Sequence, residues 1–382
     1  MAVTIVETVK VATNASNGTA SNVTGVNGTN GTDGTDGTDG TNGIPNGDDS
    51  LLRDKAAGLN PRFSLPDSTP RSSKTSLVIG GVRIYVYGLD NLSSSPPANT
   101  CAATATDVAV LYLAHNRTRT YRVTEGIAHE LLHRHRTDPR PKTMGLIAVT
   151  MDMRNHGERE ICPAANRTWA AGNERHAMDL LSLIDGGVQD FRLVMDYLPV
   201  YLPQFRRLHH VMAGVSLGAH TAWRLAAQAP PGQVAGYAMV VGCPNLTSLL
   251  VGRLTDDKAA DAAGDAYDDL DERQQARWPR ALAALVARQD QQIAHAFPAD
   301  TPVLLCNGAD DGLVPAKYTA AWARDRGVAP TSDVVRPPYV PGHADDKPPL
   351  IDLLVQENTG HSCTKEMVAR MAVWLGDLFV AP

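Results

Sequence analysis

The sequence predicts an α/β fold, a mostly parallel sheet flanked by helices, and three observations predict it. Apolar strand-like runs alternate with helical runs along most of the chain. One strand-like run passes directly into Gly214-Val215-Ser216-Leu217-Gly218 and then into a helix-forming stretch, Ala219 to Ala229. Two later strand-like runs each end in a loop that carries an acid or a histidine.

Taken in order, Leu77 to Ile79 and Val82 to Tyr87 read as strand, turn, strand. A loop from Asp90 to Thr106 leads to a buried strand, Val108 to Ala114. Tyr121 to Arg136 reads as a helix, and Leu146 to Arg159 as a strand followed by a sharp turn. From Glu174 to Leu198, apolar residues at Ala177, Leu181, Ile184, Val188, Phe191, Met195 and Leu198 mark a long amphipathic helix. Gly186-Gly187 is expected to interrupt it. Val234 to Val241 is another strand.

Residues 245–298 then break the alternation. The first half is acidic and rich in Ala and Gly, whereas Trp278, Leu282, Leu285, Val286, Ile293 and Phe297 share one helical face. An insertion here either covers the site as a lid or forms an ordinary surface hairpin. The Pro-rich stretch 327–349 is a second candidate rim. The last strands and helices are Val303 to Asn307, a helix opened by Pro315, Leu350 to Val355, and a helix bearing Val368, Met371, Leu375 and Leu378.

Residues 1 to about 70 stand apart. The stretch from Asn27 to Thr41 repeats Gly, Thr and Asn/Asp with nothing to bury, which predicts a flexible tail before a domain over 71–382. It lacks the aliphatic positions that a calcium-binding β-helix needs.

The Gly-x-Ser-x-Gly turn points to a nucleophile. Small residues two positions either side of Ser216 let strand and helix backbones close together and leave the hydroxyl exposed at a helix start. A serine hydroxyl needs a base, and the base needs an orienting acid. The acid candidates are Asp310 and Asp311, in Gly308-Ala-Asp-Asp-Gly-Leu-Val-Pro315. Asp311, three before Val314, points back over the sheet, and Asp310 is a turn residue. His361, after the run ending at Val355 and beside Gly360, is the base candidate. His343 is its rival, but sits in the Pro-rich loop with no adjacent strand.

A competing pattern is His129-Glu130-Leu-Leu-His133, with His135 close behind. On a helix the two histidines share a face as zinc ligands and the glutamate serves as general base, with Glu158 or Glu174 as a third ligand. Arg134 and Arg136 would repel a divalent cation, and zinc accounts for one segment where the serine reading accounts for four.

Composition bounds the remainder. The chain has 382 residues, 43% of them hydrophobic, enough for a large core. A net charge of −6 gives no basic surface for nucleic acid. No apolar stretch approaches the roughly 18 residues of a membrane span. The N-terminus has no signal-like apolar core, and five cysteines without paired spacing suit free thiols, so a cytoplasmic protein is expected.

With these residues in view, the chain resembles the α/β-hydrolase superfamily from about Ser76 to Pro382. Asp152-Met-Arg-Asn-His-Gly157 resembles its D-x-R-G-H-G element, and Gly214 to Gly218 its elbow. Gly308 to Pro315 resembles its acid turn, and Gly360-His361 its histidine loop. The resemblance implies a Ser216–His361–Asp311 triad with no cofactor or metal. It also implies an oxyanion hole built from the Leu217 N–H and one from the loop after the strand ending at Ala114. The family commonly has His-Gly where this chain has His115-Asn116, so Asn116 and Arg117 both remain candidates for the second donor. The expected substrate is a small or medium-sized carboxylic ester, with thioesters, lactones and amides within reach of the same machinery. Acyl transfer by the same triad is an alternative outcome. An aromatic content of 5% argues against a large aromatic-lined trough.

Overall fold

The computed structural model describes residues 58–92, 106–255, 267–341 and 348–381. Eight strands form one sheet, in the order β1-β2-β4-β3-β5-β6-β7-β8. The strands are β1 Lys74–Ile79, β2 Val82–Tyr87, β3 Asp107–Ala114, β4 Gly145–Met151, β5 Arg207–Val215, β6 Val234–Val240, β7 Val303–Gly308 and β8 Ile351–Gln356. β1 and β2 are an antiparallel hairpin, and β2 also runs antiparallel to β4. Their turn needs left-handed backbone at both central positions, which Gly80 (φ 55°) and Gly81 (φ 81°) supply. All later neighbours are parallel.

The parallel strands are apolar on both faces, as a doubly covered sheet requires. In β3, Val108, Val110, Tyr112 and Ala114 join one core, while Ala109, Leu111 and Leu113 join the other. Helix α1 (Tyr121–Thr137) and the C-terminal α8 (Lys365–Leu378) cover the second of these faces. Helix α2 (His176–Tyr201) and α3 (Leu217–Gln228) cover the first. Asp152, just past β4, accepts the first N–H of α1 from Tyr121 at 2.8 Å, placing a carboxylate at the positive end of that helix.

Gly186-Gly187 does not interrupt α2, which runs unbroken through both. A Cβ at Gly186 would stand 2.5 Å from the Arg154 side chain, and one at Gly187 2.7 Å from that of Met153. The pair lets the helix lie against the loop after β4, and that packing outweighs glycine's poor helix propensity.

The insertion holds α4 (Leu246–Thr255), α5 (Glu272–Arg277) and α6 (Arg280–Ala296). Its anchor is Asp290, which accepts from Leu246 N at 3.1 Å, Thr247 N at 2.8 Å and Thr247 Oγ1 at 2.7 Å. The same carboxylate pairs at 3.0 Å with Arg224 of α3, whose side chain is 1% exposed. Gln289 reaches Asp185 of α2 at 2.8 Å. The described insertion is therefore seated on α2 and α3. Helix α7 (Lys317–Arg324) follows β7.

The tail boundary expected near residue 70 lies earlier. Asn60 N donates to Asn358 O at 2.7 Å, Phe63 N to Cys363 O at 2.7 Å, and the Thr69 hydroxyl to Glu130 at 2.6 Å. The Asn/Gly/Thr repeat lies outside the described residues. In the Pro-rich stretch, Thr331 pairs with β8 through Thr331 N to Leu353 O and Val355 N to Thr331 O, both 2.9 Å. Among the described residues no helix is long and apolar enough to cross a membrane.

Replacing Asp290 by Ala should cost about 3–5 kcal/mol, because it strands the buried Arg224 charge and three insertion donors. A urea titration that leaves the midpoint unmoved would contradict this anchoring. A second expectation concerns histidines. Burial lowers His115, His176 and His220 to about 3, and His135 and His210 to about 4. Their folded affinity for protons is below that of the unfolded chain, so the stability they contribute is whole above about pH 6.5. It declines as pH falls toward 4, by roughly 1.4 kcal/mol per pH unit for each ring. Urea midpoints should therefore be clearly lower near pH 5 than near pH 7.5.

Candidate active site

The site lies beyond the C-terminal ends of β5, β7 and β8, where open α/β sheets place their ligands. β5 ends at Val215, and Ser216 turns the chain with φ 54° and ψ −109°, a left-handed conformation that a non-glycine residue rarely adopts. Its flanking glycines have no room for a side chain. A Cβ on Gly214 would stand 2.1 Å from Gly218 O, and one on Gly218 2.1 Å from Ala114 O. Helix α3 starts at Leu217, so the Leu217 N–H has no acceptor within the helix.

The structure brings Ser216, His361 and Asp311 into one line. His361 Nε2 is 2.8 Å from Ser216 Oγ, and His361 Nδ1 is 2.8 Å from Asp311 Oδ2. A carboxylate can only accept, so Nδ1 carries the proton and Nε2 is left to accept from the serine hydroxyl. Asp311 Oδ1 accepts from the Leu313 and Val314 N–H groups at 2.9 and 2.8 Å, which fixes the carboxylate's orientation. Asp311 is buried and Asp310 exposed. His343 lies outside the described residues.

His115 stands behind this line, fully buried at the end of β3. Its Nε2 accepts the Met153 N–H at 2.9 Å, so its Nδ1 carries the proton and donates to Asn116 O at 2.8 Å. Burial lowers it to about 3, which keeps the ring neutral and the bonding pattern intact. The histidine thus ties the loop of Asn116 and Arg117 to the Asp152–Gly157 turn. In that turn Asp152 also accepts from Glu158 N at 2.9 Å, and Arg154 pairs with Asp190 at 2.9 Å.

A slot of about 20 Å³ opens beside the serine. Asn116, Val123, Ile127, Val215, Val241 and His361 line it, together with Arg62, Phe63, Ser362 and Cys363. Arg117 is not among the lining residues, and its guanidinium donates to Asn166 O. Among the described residues of 245–298 and 327–349, none lines this slot. Arg62 and Phe63 are the unforeseen members, hidden in a region that composition marks as tail.

The His-Glu-x-x-His pattern falls on α1 as expected, but its first histidine and its glutamate are engaged elsewhere. His129 Nδ1 accepts from Ser72 N at 3.0 Å. Glu130 accepts from Thr69 Oγ1 and from Arg134 Nε, both at 2.6 Å. Glu158 pairs with Arg83 at 3.1 Å and Glu174 with Arg277 at 2.5 Å. Among the described residues no three His, Cys, Asp or Glu side chains are grouped to hold a metal ion. The motif ties α1 to the segment before β1.

No protein-family model and no curated protein sequence matches the chain. Solved structures do. Protein TT1662 from Thermus thermophilus is similar with a TM-score of 0.52 and 17% identity, over 82% of this chain and 100% of that one. The Pyrococcus furiosus esterase Pf2001 is similar with a TM-score of 0.44 and 14% identity, over 83% of this chain and 98% of that one. A cold-adapted esterase from an Arctic intertidal metagenomic library has a TM-score of 0.43 and 17% identity, over 83% of this chain and 100% of that one. By its strand order, its strand–elbow–helix at Ser216 and its likeness to protein TT1662, the chain has an α/β-hydrolase fold.

Proposed function

We propose that the protein is a serine hydrolase that cleaves carboxylic esters of small or medium-sized molecules through an acyl-enzyme. The observation that carries this reading is the unbroken relay from Ser216 through His361 to Asp311, with both links at 2.8 Å. A binding module has no need of such a line, whereas acyl transfer requires each member of it.

Ser216 Oγ attacks the carbonyl carbon as its proton passes to His361 Nε2. Asp311 holds the ring in the tautomer that can receive it and stabilises the imidazolium. Negative charge on the carbonyl oxygen is met by the Leu217 N–H, which has no helical partner, and by that of Asn116. Asn116 is favoured over Arg117 because it lines the slot and Arg117 does not. The alcohol leaves with the proton from His361. Water then attacks the acyl carbon, giving a proton to the same nitrogen, which returns it to Ser216 Oγ as the acyl–oxygen bond breaks and the acid leaves. His115 serves as a positioning residue for the oxyanion loop, through its bonds to Met153 N and Asn116 O.

A fluorophosphonate probe should label the protein at Ser216 whether or not a chelator is present, and Ser216→Ala should abolish both labelling and ester turnover. Labelling elsewhere, or ester turnover that survives in the alanine variant, would refute the mechanism. Asp311→Asn should lower kcat on the order of 10⁴-fold by presenting His361 in the wrong tautomer. Circular dichroism of that variant should match the parent, since its amide oxygen can still accept from Leu313 and Val314.

A further inference from the structure

The short stretch Asn60 to Phe63, just ahead of the hairpin, behaves as a strap over the site. Its backbone is bonded to the histidine loop on both sides of His361, from Asn60 N to Asn358 O and from Phe63 N to Cys363 O, each 2.7 Å. The Asn60 side chain adds bonds to Glu357 O at 3.1 Å and Thr359 Oγ1 at 3.0 Å. This double attachment places the Phe63 ring on α1. The ring edge lies 4.0 Å from where a Cβ on Gly126 would stand, in ordinary van der Waals reach of that helix. Val123 and Ile127, on the same side of α1, line the slot together with Phe63, Val215 and Val241.

The resulting slot is small, with Phe63, Val123, Ile127, Val215 and Val241 as its apolar wall and Arg62, Asn116, His361 and Ser362 among its polar lining. Its volume is about 20 Å³, where a single water needs about 10–15 Å³. An acyl chain that extends into this slot has room for about one methyl-sized group. A longer chain would meet the Phe63 ring, which two backbone hydrogen bonds and the α1 contact hold in place.

We propose that Phe63 sets the acyl-length limit of this site, and that the acyl group it accepts is acetyl-sized. The proposal rests on the serine-hydrolase reading above and names its substrate class: acetate esters, with the alcohol portion directed out of the slot. A methylene too many against an apolar wall costs about 10–200-fold in kcat/KM, so discrimination should be steep and confined to the acyl side.

The test measures kcat/KM on para-nitrophenyl acetate, butyrate and octanoate, and on acetate esters of alcohols of increasing length, for the wild-type full chain, Phe63→Ala and Phe63→Leu. The wild type should prefer acetate over butyrate by at least about tenfold and should be nearly indifferent to the alcohol. Phe63→Ala should raise the butyrate-to-acetate ratio by about tenfold or more, and Phe63→Leu by less. Should the alanine variant fail to fold, the leucine variant and the wild-type acyl series decide the matter. A wild type that hydrolyses octanoate as well as acetate overturns the proposal. So does a chain-length ratio that neither variant alters, or a limit that follows the alcohol. Failure of the parent reading looks different: no ester of any length is turned over and Ser216 takes no fluorophosphonate label, and the acyl limit falls with it.

Discussion

The constraint on which the rest of this structure depends is the near contact of three backbones around Ser216. Strand β5, helix α3 and strand β3 approach so closely that a single added carbon at Gly214 or Gly218 would overlap a carbonyl at 2.1 Å. Ser216 is driven to φ 54° by that geometry, and such backbone costs about 1–3 kcal/mol. The surroundings hold it there. Ser216 N donates to Val240 O and Ser216 O accepts from His220 N, both at 2.9 Å, so the strained residue leaves neither backbone group unmet. The same turn gives the hydroxyl its exposure and sets the Leu217 N–H, first in its helix and so without a helical acceptor, beside it.

The opposite side of the site follows from a second close approach. β7 and β8 are parallel neighbours, in register through Gly308 and Gln356 at their ends. A Cβ on Gly308 would stand 2.2 Å from Thr359 O. The loops beyond them are joined by Ala309 N to Gln356 O and Asp310 N to Thr359 O, each 2.9 Å. Asp311 and His361 are therefore brought together by strand pairing before their own hydrogen bond is counted. That sequence of causes explains why the aspartate one position earlier is spent on the turn: its N–H is part of the joint, and its side chain faces solvent.

Much of this was legible in the chain. Ser216, Asp311 and His361 each lie at the end of an apolar run with glycine or proline nearby, and those are local signals. The long helix before β5 was legible from its apolar spacing, but its glycine pair was misleading, because the reason for two small residues lies in Arg154 and Met153 of another segment. His129 and His133 do stand one turn apart, as their spacing dictates. What no spacing reports is that Ser72, Thr69 and Arg134 already use the first histidine and the glutamate. Leu282, Val286 and Ile293 share one buried face of α6 as read, and that face packs into the core with Ala222, Trp223 and Ala226 of α3. The strap was illegible for a different reason: Asn60, Arg62 and Phe63 follow a long polar repeat, and averaging composition over residues 1 to 70 hides their one aromatic residue behind it.

The division between sheet and strap separates two properties of the site. The relay is held by strand ends and by the Asp311 turn, none of which involves residues 58–70. The chamber is closed by a segment outside the layered body, so its size can change without repositioning the nucleophile. The separation is incomplete at one place. Strap bonds to Asn358 O and Cys363 O lie three residues before and two after His361, which makes the strap backbone a brace for the base as well as a wall. The Phe63 side chain is only a wall. Removing the phenyl ring widens the chamber, whereas removing the Asn60 side chain strips the bonds to Glu357 and Thr359 and loosens the loop that carries the base. Selectivity and proton transfer are thus borne by different atoms of one short segment, and substitutions at Phe63 and Asn60 report on them separately.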